Sequence, residues 1–342
     1  MRGLFNWVMV CAALAPAPGL AKTVDAVTAA APQQASASVS KASSAINDDS
    51  ARLLRIYREL CAQPRQAGAA ASKAATLAAE LGGHGFEVRI GPDRTQVVAI
   101  LRNGDGPTLV YRADGGPRVE APARPPKRER RARSPRELTP GGERGYPGDA
   151  NLTWMLGMAK ALAALRADWA GTLVLVSEAT QREDEPEPAA TERTEARLPL
   201  PAPDVVLAFG ASSAPLGSML GVRGRRRPGT DSVDVSMHRF GVYEGTPYRD
   251  SGRELAAATI RRYGVPDDAI FGYVLVGIAD RKQVSDAPSV LESAPFGEED
   301  AVPLDLAAIP LGAKVATVAV LELLAKPKPR PSDANQWTLH QY

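Results

Sequence analysis

A chain of 342 residues with 44% hydrophobic content is long enough for one large domain or two small ones, and it carries ample apolar material for a core. Its 41 Lys and Arg against 39 Asp and Glu leave a net charge of +2, which supplies no global attraction for nucleic acid. Two cysteines, Cys11 and Cys61, exclude a disulfide framework.

Arg2, an apolar run over residues 4–15 and the small-residue stretch Pro18-Gly-Leu-Ala21 read as a signal peptide over residues 1–21. They imply a secreted or periplasmic mature chain; the run is too short for a comfortable membrane span. Residues 22–48 are rich in Ala, Ser, Thr and Gln without apolar periodicity, and read as a flexible lead-in. An amphipathic helix is predicted over 49–60, on Leu53, Leu54, Tyr57 and Leu60. A second, Ala-rich helix over 69–81 ends at Gly82-Gly83. Strands are predicted over 86–90, 96–101 and 108–111, the last two joined as a hairpin by Arg102-Asn-Gly-Asp-Gly. Residues 115–145 are packed with Arg, Pro, Glu and Gly and read as a long exposed loop.

The stretch Glu143-Arg-Gly-Tyr-Pro-Gly-Asp-Ala-Asn-Leu-Thr-Trp-Met-Leu-Gly157 then reads as a Gly/Pro turn leading into a helix over 152–166, with Asn151 or Thr153 as cap. A buried strand follows at 172–176, and a second polar loop at 181–202. Further strands are predicted at 204–209, 232–238 and 271–278, with helices at 250–263 and 310–324. Apolar strands alternating with helices predict a three-layer αβα sandwich around a largely parallel sheet. Two basic stretches, 124–136 and 223–227, lack interleaved aromatics and read as solvated loops. An anionic cell-envelope polymer fits them better than nucleic acid does.

Several segments together resemble the hippurate-hydrolase-like amidohydrolases, within the aminoacylase/carboxypeptidase superfamily of zinc-type metallopeptidases (metallopeptidase family twenty). The carrying stretches are Ile56-Tyr-Arg-Glu-Leu, Gly85-Phe-Glu-Val, the run from Gln96 to Asp114, Asp149-Ala-Asn-Leu-Thr-Trp-Met-Leu-Gly, Trp169-Ala-Gly-Thr-Leu-Val-Leu-Val, Pro203-Asp-Val-Val-Leu-Ala, Asp231-Ser-Val-Asp-Val and Val318-Ala-Val-Leu-Glu-Leu-Leu. They span most of residues 50–325 in family order. The resemblance implies an α/β metal-binding domain at 49–235 and 264–325, with the lid and dimerisation domain reduced to a remnant at 236–263 and a loose tail at 326–342. So short a lid speaks against the usual family dimer.

The resemblance also implies where a two-metal hydrolytic site would lie. Such a site needs His, Cys or carboxylate ligands and a Glu as general base. The family's Cys and His ligands in Ala-Cys-Gly-His-Asp fall on Tyr146 and Gly148, with Asp149 kept, and the next family His falls on Asn151. The Glu-Glu pair falls on Gln181 and Arg182, with Glu183 next door. Two further His ligands fall on Gly210 and Ser293, and the lid histidines on Tyr243 and Tyr248. None of His84, His238 and His340 stands at a ligand position. No Gly-X-Ser-X-Gly elbow is present, and Ser212, Ser213 and Ser293 have no histidine placed to activate them.

The reading is a pseudo-hydrolase with no expected metal or catalytic residue, and a small amide or peptide as ligand. The alternative is an active amidohydrolase on N-acyl amino acids or small peptides. It would use a carboxylate site rebuilt from Asp114, Asp149 and Glu183, with Glu178 nearby and zinc or manganese as cofactor; an all-oxygen cluster would itself favour Mg²⁺ or Ca²⁺. A third reading, a decaying hydrolase sequence with no selected function, is compatible with the Arg/Pro-rich loop 115–145.

Overall fold

A computed structural model describes residues 33–62, 69–92, 94, 96–114, 143–178, 198–226, 233–240, 265–266, 269–280 and 302–325. The expected signal peptide, most of the two polar loops, the helix at 250–263 and the tail lie outside these residues. Helices α1 (Gln33–Ala62) and α2 (Ala69–Gly83) lead into strands β1 (Glu87–Ile90), β2 (Val97–Asn103), β3 (Thr108–Asp114) and β4 (Glu143–Gly145). Helix α3 (Pro147–Ala164) is followed by β5 (Gly171–Glu178), β6 (Val205–Pro215), β7 (Met219–Arg226), β8 (Val233–Phe240), β9 (Ile270–Ala279), β10 (Val302–Leu304) and α4 (Ala308–Leu323).

The strands form one mixed sheet in the order β1-β2-β5-β3-β6-β9-β10-β4, with β7 alongside β9 and β8 on β7. Its centre, β5-β3-β6-β9, is parallel; its flanks are antiparallel. The expected parallel sheet is found in the four central strands, with antiparallel strands added on both flanks. Period-2 alternation places Leu109, Tyr111, Leu207, Phe209, Val274 and Val276 on one face, in a single core with residues of all four helices. The opposite face is buried as well, through Val110, Val174, Ala208, Phe271, Tyr273 and Leu275. Burial on both faces is what near-continuous apolar strands such as β9 require.

Four expectations are corrected here. First, α1 starts at Gln33, so residues 33–48 are helix rather than flexible lead-in. Ala42 and Ile46 continue the stripe of Asp49, Leu53, Tyr57 and Leu60 into the core, and Lys41 pairs with Asp168. Small residues hid that stripe in the sequence. Second, β2 and β3 are not a hairpin: β5 lies between them. The start of β5 is threaded under the connecting turn. Gly171 has φ +114°, and a Cβ there would run into the Pro107 carbonyl, which accepts from Thr172 N at 3.0 Å. Gly171→Ala is expected to destabilise the protein by about 1–3 kcal/mol, read as a lower midpoint in urea.

Third, Arg223 to Arg226 belong to β7, between β8 and β9, and Arg223 is half-buried, with burial lowering its pKa. The alternation of Met219, Leu220 and Val222 with smaller and charged residues was the missed strand signal. Fourth, residues 198–202 do not continue a solvated loop. Leu198 and Leu200 pack on Val98, Ile100, Val110, Val174 and Val176, and Leu198 N donates to Gln96 Oε1 at 2.9 Å.

Candidate functional site

The stretch that resembles the metal-binding turn forms the join between β4 and α3. Strand β4 pairs with β10, Gly145 opposite Val302. At Gly145 a Cβ would overlap the Tyr57 Oη, so only glycine lets that phenol lie on the strand. Tyr146 then caps the helix with extended backbone angles (φ −103°, ψ 126°) and no side-chain capping bond. Pro147 takes the first helical position, where its fixed φ fits and its missing N–H is not needed.

The helix therefore starts before Asn151 and Thr153, and neither caps it. Both act inside the helix: Asn151 Nδ2 donates to the Phe209 carbonyl of β6 at 2.6 Å, and Thr153 Oγ1 donates to the Asp149 carbonyl at 2.7 Å. Gly148 is half-buried at the second helical position.

Asp149 stands in the first turn, where the helix dipole favours an anion. It is only 3% exposed, and its Oδ1 accepts a hydrogen bond from the Lys73 Nζ of α2, itself 5% exposed. Tyr57 and Cys61 of α1 close the same corner. Burial and then the Asp149 charge push the Cys61 thiol up to about 11, so it is protonated at neutral pH and is no thiolate ligand. Burial, and next the neighbouring Cys61, raise the Tyr57 phenol well above its usual value.

A second charged cluster ties the same helices together further from the turn. Asp49 of α1 accepts from Arg52 (2.7 and 2.8 Å) and from Lys160 of α3 (2.5 Å), while Arg52 also reaches Glu80 of α2. Burial opposes the Asp49 charge, and the hydrogen bonds from Arg52 and Lys160 outweigh it, so its pKa is lowered from 3.8. His84 beside this cluster is lowered from 6.5, first by burial and then by Arg52. Both shifts make the unfolded chain the better proton acceptor, so stability is lost as the pH is lowered. The His84 contribution begins to fade below its usual value of 6.5, and that of Asp49 below 3.8. Chemical denaturation followed from pH 7 to pH 3 is expected to show both losses, and Asp49→Asn to remove the lower one.

The other sequence-derived positions are spread over the central strands, β8 and the α2–β1 turn, or lie outside the described residues. Asp114 and Glu178 are in register on β3 and β5, and Gly210 follows Phe209 on β6, one residue beyond its pairing with Ala113. Gly210 faces Tyr273 and Leu275 of β9: a Cβ there would stand 2.7 Å from the Tyr273 Oη and 2.9 Å from Leu275 Cδ2. Ser212 is buried within β6, which runs on to Pro215 rather than ending at 209, and its hydroxyl accepts from Ala214 N at 3.3 Å. His84 occupies the expected helix-to-strand turn, and His238 lies in β8 opposite Gly221. Gln181, Arg182, Glu183, Tyr243, Tyr248, Ser293 and His340 lie outside the described residues.

The residue that sequence reasoning missed is Lys73. It shares the apolar stripe of α2 with Ala74, Leu77 and Leu81. A lysine on a buried stripe calls for a carboxylate partner, and that was the available signal.

Two metal ions would need several convergent His, Cys or carboxylate groups. Among the described residues no three such side chains come together. The turn offers a phenol at Tyr146, no side chain at Gly148, an amide at Asn151 already donating to Phe209, and a carboxylate already held by Lys73. These residues do not fit the zinc pair that the resemblance implies.

No protein-family model matches the chain, and no curated protein does. Solved structures similar to it include an aminohydrolase, described as putative, from methicillin-resistant Staphylococcus aureus. It is 14% identical, with 83% of this chain and 99% of that one covered, at a TM-score of 0.49. Another is the Bacillus subtilis YXEP protein, described as a dinuclear metal-binding peptidase of the M20 family, at 13% identity, 81% and 99% coverage and TM-score 0.43. A third is an amidase of the hydantoinase/carbamoylase family from Burkholderia multivorans, at 11% identity, 82% and 98% coverage and TM-score 0.41.

Proposed function

We propose that this protein is a pseudo-hydrolase: an amidohydrolase-like scaffold that binds a small amide or peptide without cleaving it. The observation that carries this reading is the state of Asp149, the one acidic residue retained in the metal-binding turn. It is buried and paired with Lys73 inside the chain. A carboxylate so held is already charge-balanced, a dication beside it would be repelled by the ammonium group, and Tyr146 and Gly148 bring no ligand to replace what is missing. The replacement of the Glu-Glu pair by Gln181 and Arg182 supports the same reading, because neither an amide nor a guanidinium accepts a proton from water at neutral pH. The signal-like stretch of residues 1–21 supports a periplasmic or secreted location for this binding role.

The rearranged carboxylate site is the second reading. The register of Asp114 with Glu178 favours it, since it sets two acidic positions side by side on neighbouring parallel strands. The pairing of Asp149 with Lys73 weighs against it. Calorimetric titration with N-benzoylglycine and other N-acyl amino acids, with product analysis on the same samples, separates the two. Saturable heat without product is the expected result; product release that disappears in Asp114→Ala would establish the second reading.

A further inference from the structure

The connection between α3 and β5, residues 165–171, is held from four directions. Ser38 and Lys41 of α1 donate to Asp168. Trp169 Nε1 donates to the Leu162 carbonyl of α3 at 2.9 Å, and Ala170 N donates to the Leu324 carbonyl at the end of α4 at 3.0 Å. The fourth hold comes from the turn between β2 and β3. Asn103 Nδ2 donates both its protons, one to the Arg166 carbonyl at 2.8 Å and one to the Trp169 carbonyl at 2.7 Å. Further along the same turn, Gly106 lies so close that a Cβ would stand 2.9 Å from the Ala170 carbonyl oxygen.

This fourth hold is the chemically labile one. Of the five asparagines in the chain, Asn103 alone is followed by glycine. In such a pair the Gly104 nitrogen attacks Asn103 Cγ, the Cγ–Nδ2 bond breaks, and Nδ2 leaves as ammonia with the proton of the Gly104 amide. Water then opens the succinimide, at one carbonyl to aspartate and at the other to isoaspartate. Gly104 has no side chain to shield its nitrogen, and no heavy atom outside the turn lies within 4 Å of where a Cβ would stand. We propose that Asn103 is a conformation-gated deamidation site: the folded turn protects it, opening of the turn releases it to react, and the product no longer seats against residues 165–171.

Protection follows from the two hydrogen bonds, since loss of Nδ2 as ammonia breaks both. The failure to reseat follows from the product. An oxygen in place of Nδ2 would stand 2.8 Å from the Arg166 carbonyl oxygen and 2.7 Å from that of Trp169, and a carboxylate has no proton to give either. Isoaspartate also lengthens the backbone by one carbon and shifts Gly106 against Ala170. The turn lies where β3 and β5 begin, at the far end of those strands from Asp114 and Glu178, so the proposal is independent of the pseudo-hydrolase reading.

The test incubates full-length protein in mildly alkaline buffer, folded and in urea above its unfolding midpoint, and follows the tryptic peptide containing Asn103 by mass spectrometry. The amide-to-acid gain in mass reads Asn103 and not Asp105, whose isomerisation leaves the mass unchanged. Conversion in the folded protein should be at least about tenfold slower than in urea, and Asn103→Asp should lower the folding equilibrium constant about 10- to 100-fold. Equal rates in the two conditions would overturn the proposal, as would an Asn103→Asp protein as stable as the wild type. Should Asn103→Asp not fold, the comparison of rates on the wild type decides.

Discussion

Gly312→Ala is expected to lower the stability of the protein by about 3 kcal/mol, a drop of roughly 6–12 °C in melting temperature for an ordered region of this size. Helix propensity alone points the other way, since alanine is favoured over glycine by about 1 kcal/mol in a helix interior. Packing decides the sign. The indole of Trp154, fully buried on α3, lies flat against Gly312 of α4, where a Cβ would overlap ring atoms Cδ2, Cε2 and Nε1. The ring is held there by its Nε1–H, which donates to the Ala308 carbonyl at 3.1 Å. Moving the indole breaks that bond and disturbs the packing of a fully buried ring. Trp154→Ala should itself cost about 3–5 kcal/mol. In that background Gly312→Ala should be neutral or stabilising, because the clash is gone and only the propensity remains.

Gly210→His restores the residue type that the resembled family carries at this strand position, and it is expected to restore nothing else. The new side chain would start 2.7 Å from the Tyr273 Oη and 2.9 Å from Leu275 Cδ2. Overpacking of this kind costs about 1–3 kcal/mol. The variant should melt lower than the wild type and show no gain in zinc affinity, because a zinc site needs at least three protein ligands. Calorimetric titration with zinc, alongside thermal unfolding, checks both halves. Tight zinc binding by the single variant would mean that other ligands already stand ready near β6.

How much of this was legible in the sequence follows from the kind of signal each feature leaves. The central strands were readable because β-branched and aliphatic runs such as Val174 to Val176 and Val205 to Ala208 have few other uses. The order of those strands was not. A turn containing Asn103-Gly-Asp-Gly106 suggests a hairpin, and only the close passage of Gly171 beneath Pro107 shows that another strand is inserted. The first half of α1 was missed because its buried face is built from Ala42 and Ile46 among serines, a stripe too weak to register as periodic. That Tyr146, Gly148 and Gly210 stand where the resemblance implies ligands is a reading from position alone. The consequence for Asp149 was not legible, because its partner Lys73 lies 76 residues away, on a helix that composition alone describes as Ala-rich.

The β4–α3 join is accordingly a structural junction more than an open site. Tyr57 rests on Gly145, Asn151 fastens the helix to β6, and Lys73 satisfies Asp149. Gly145 and Asp149 stand beside the positions, Tyr146 and Gly148, on which the resemblance puts metal ligands.

The most direct measurement is made on purified full-length protein dialysed against zinc, manganese or cobalt: metal content and hydrolysis of N-acyl amino acids, determined on the same sample. A pseudo-hydrolase retains no stoichiometric metal and releases no product above the buffer rate. Stoichiometric metal together with measurable hydrolysis would contradict that account.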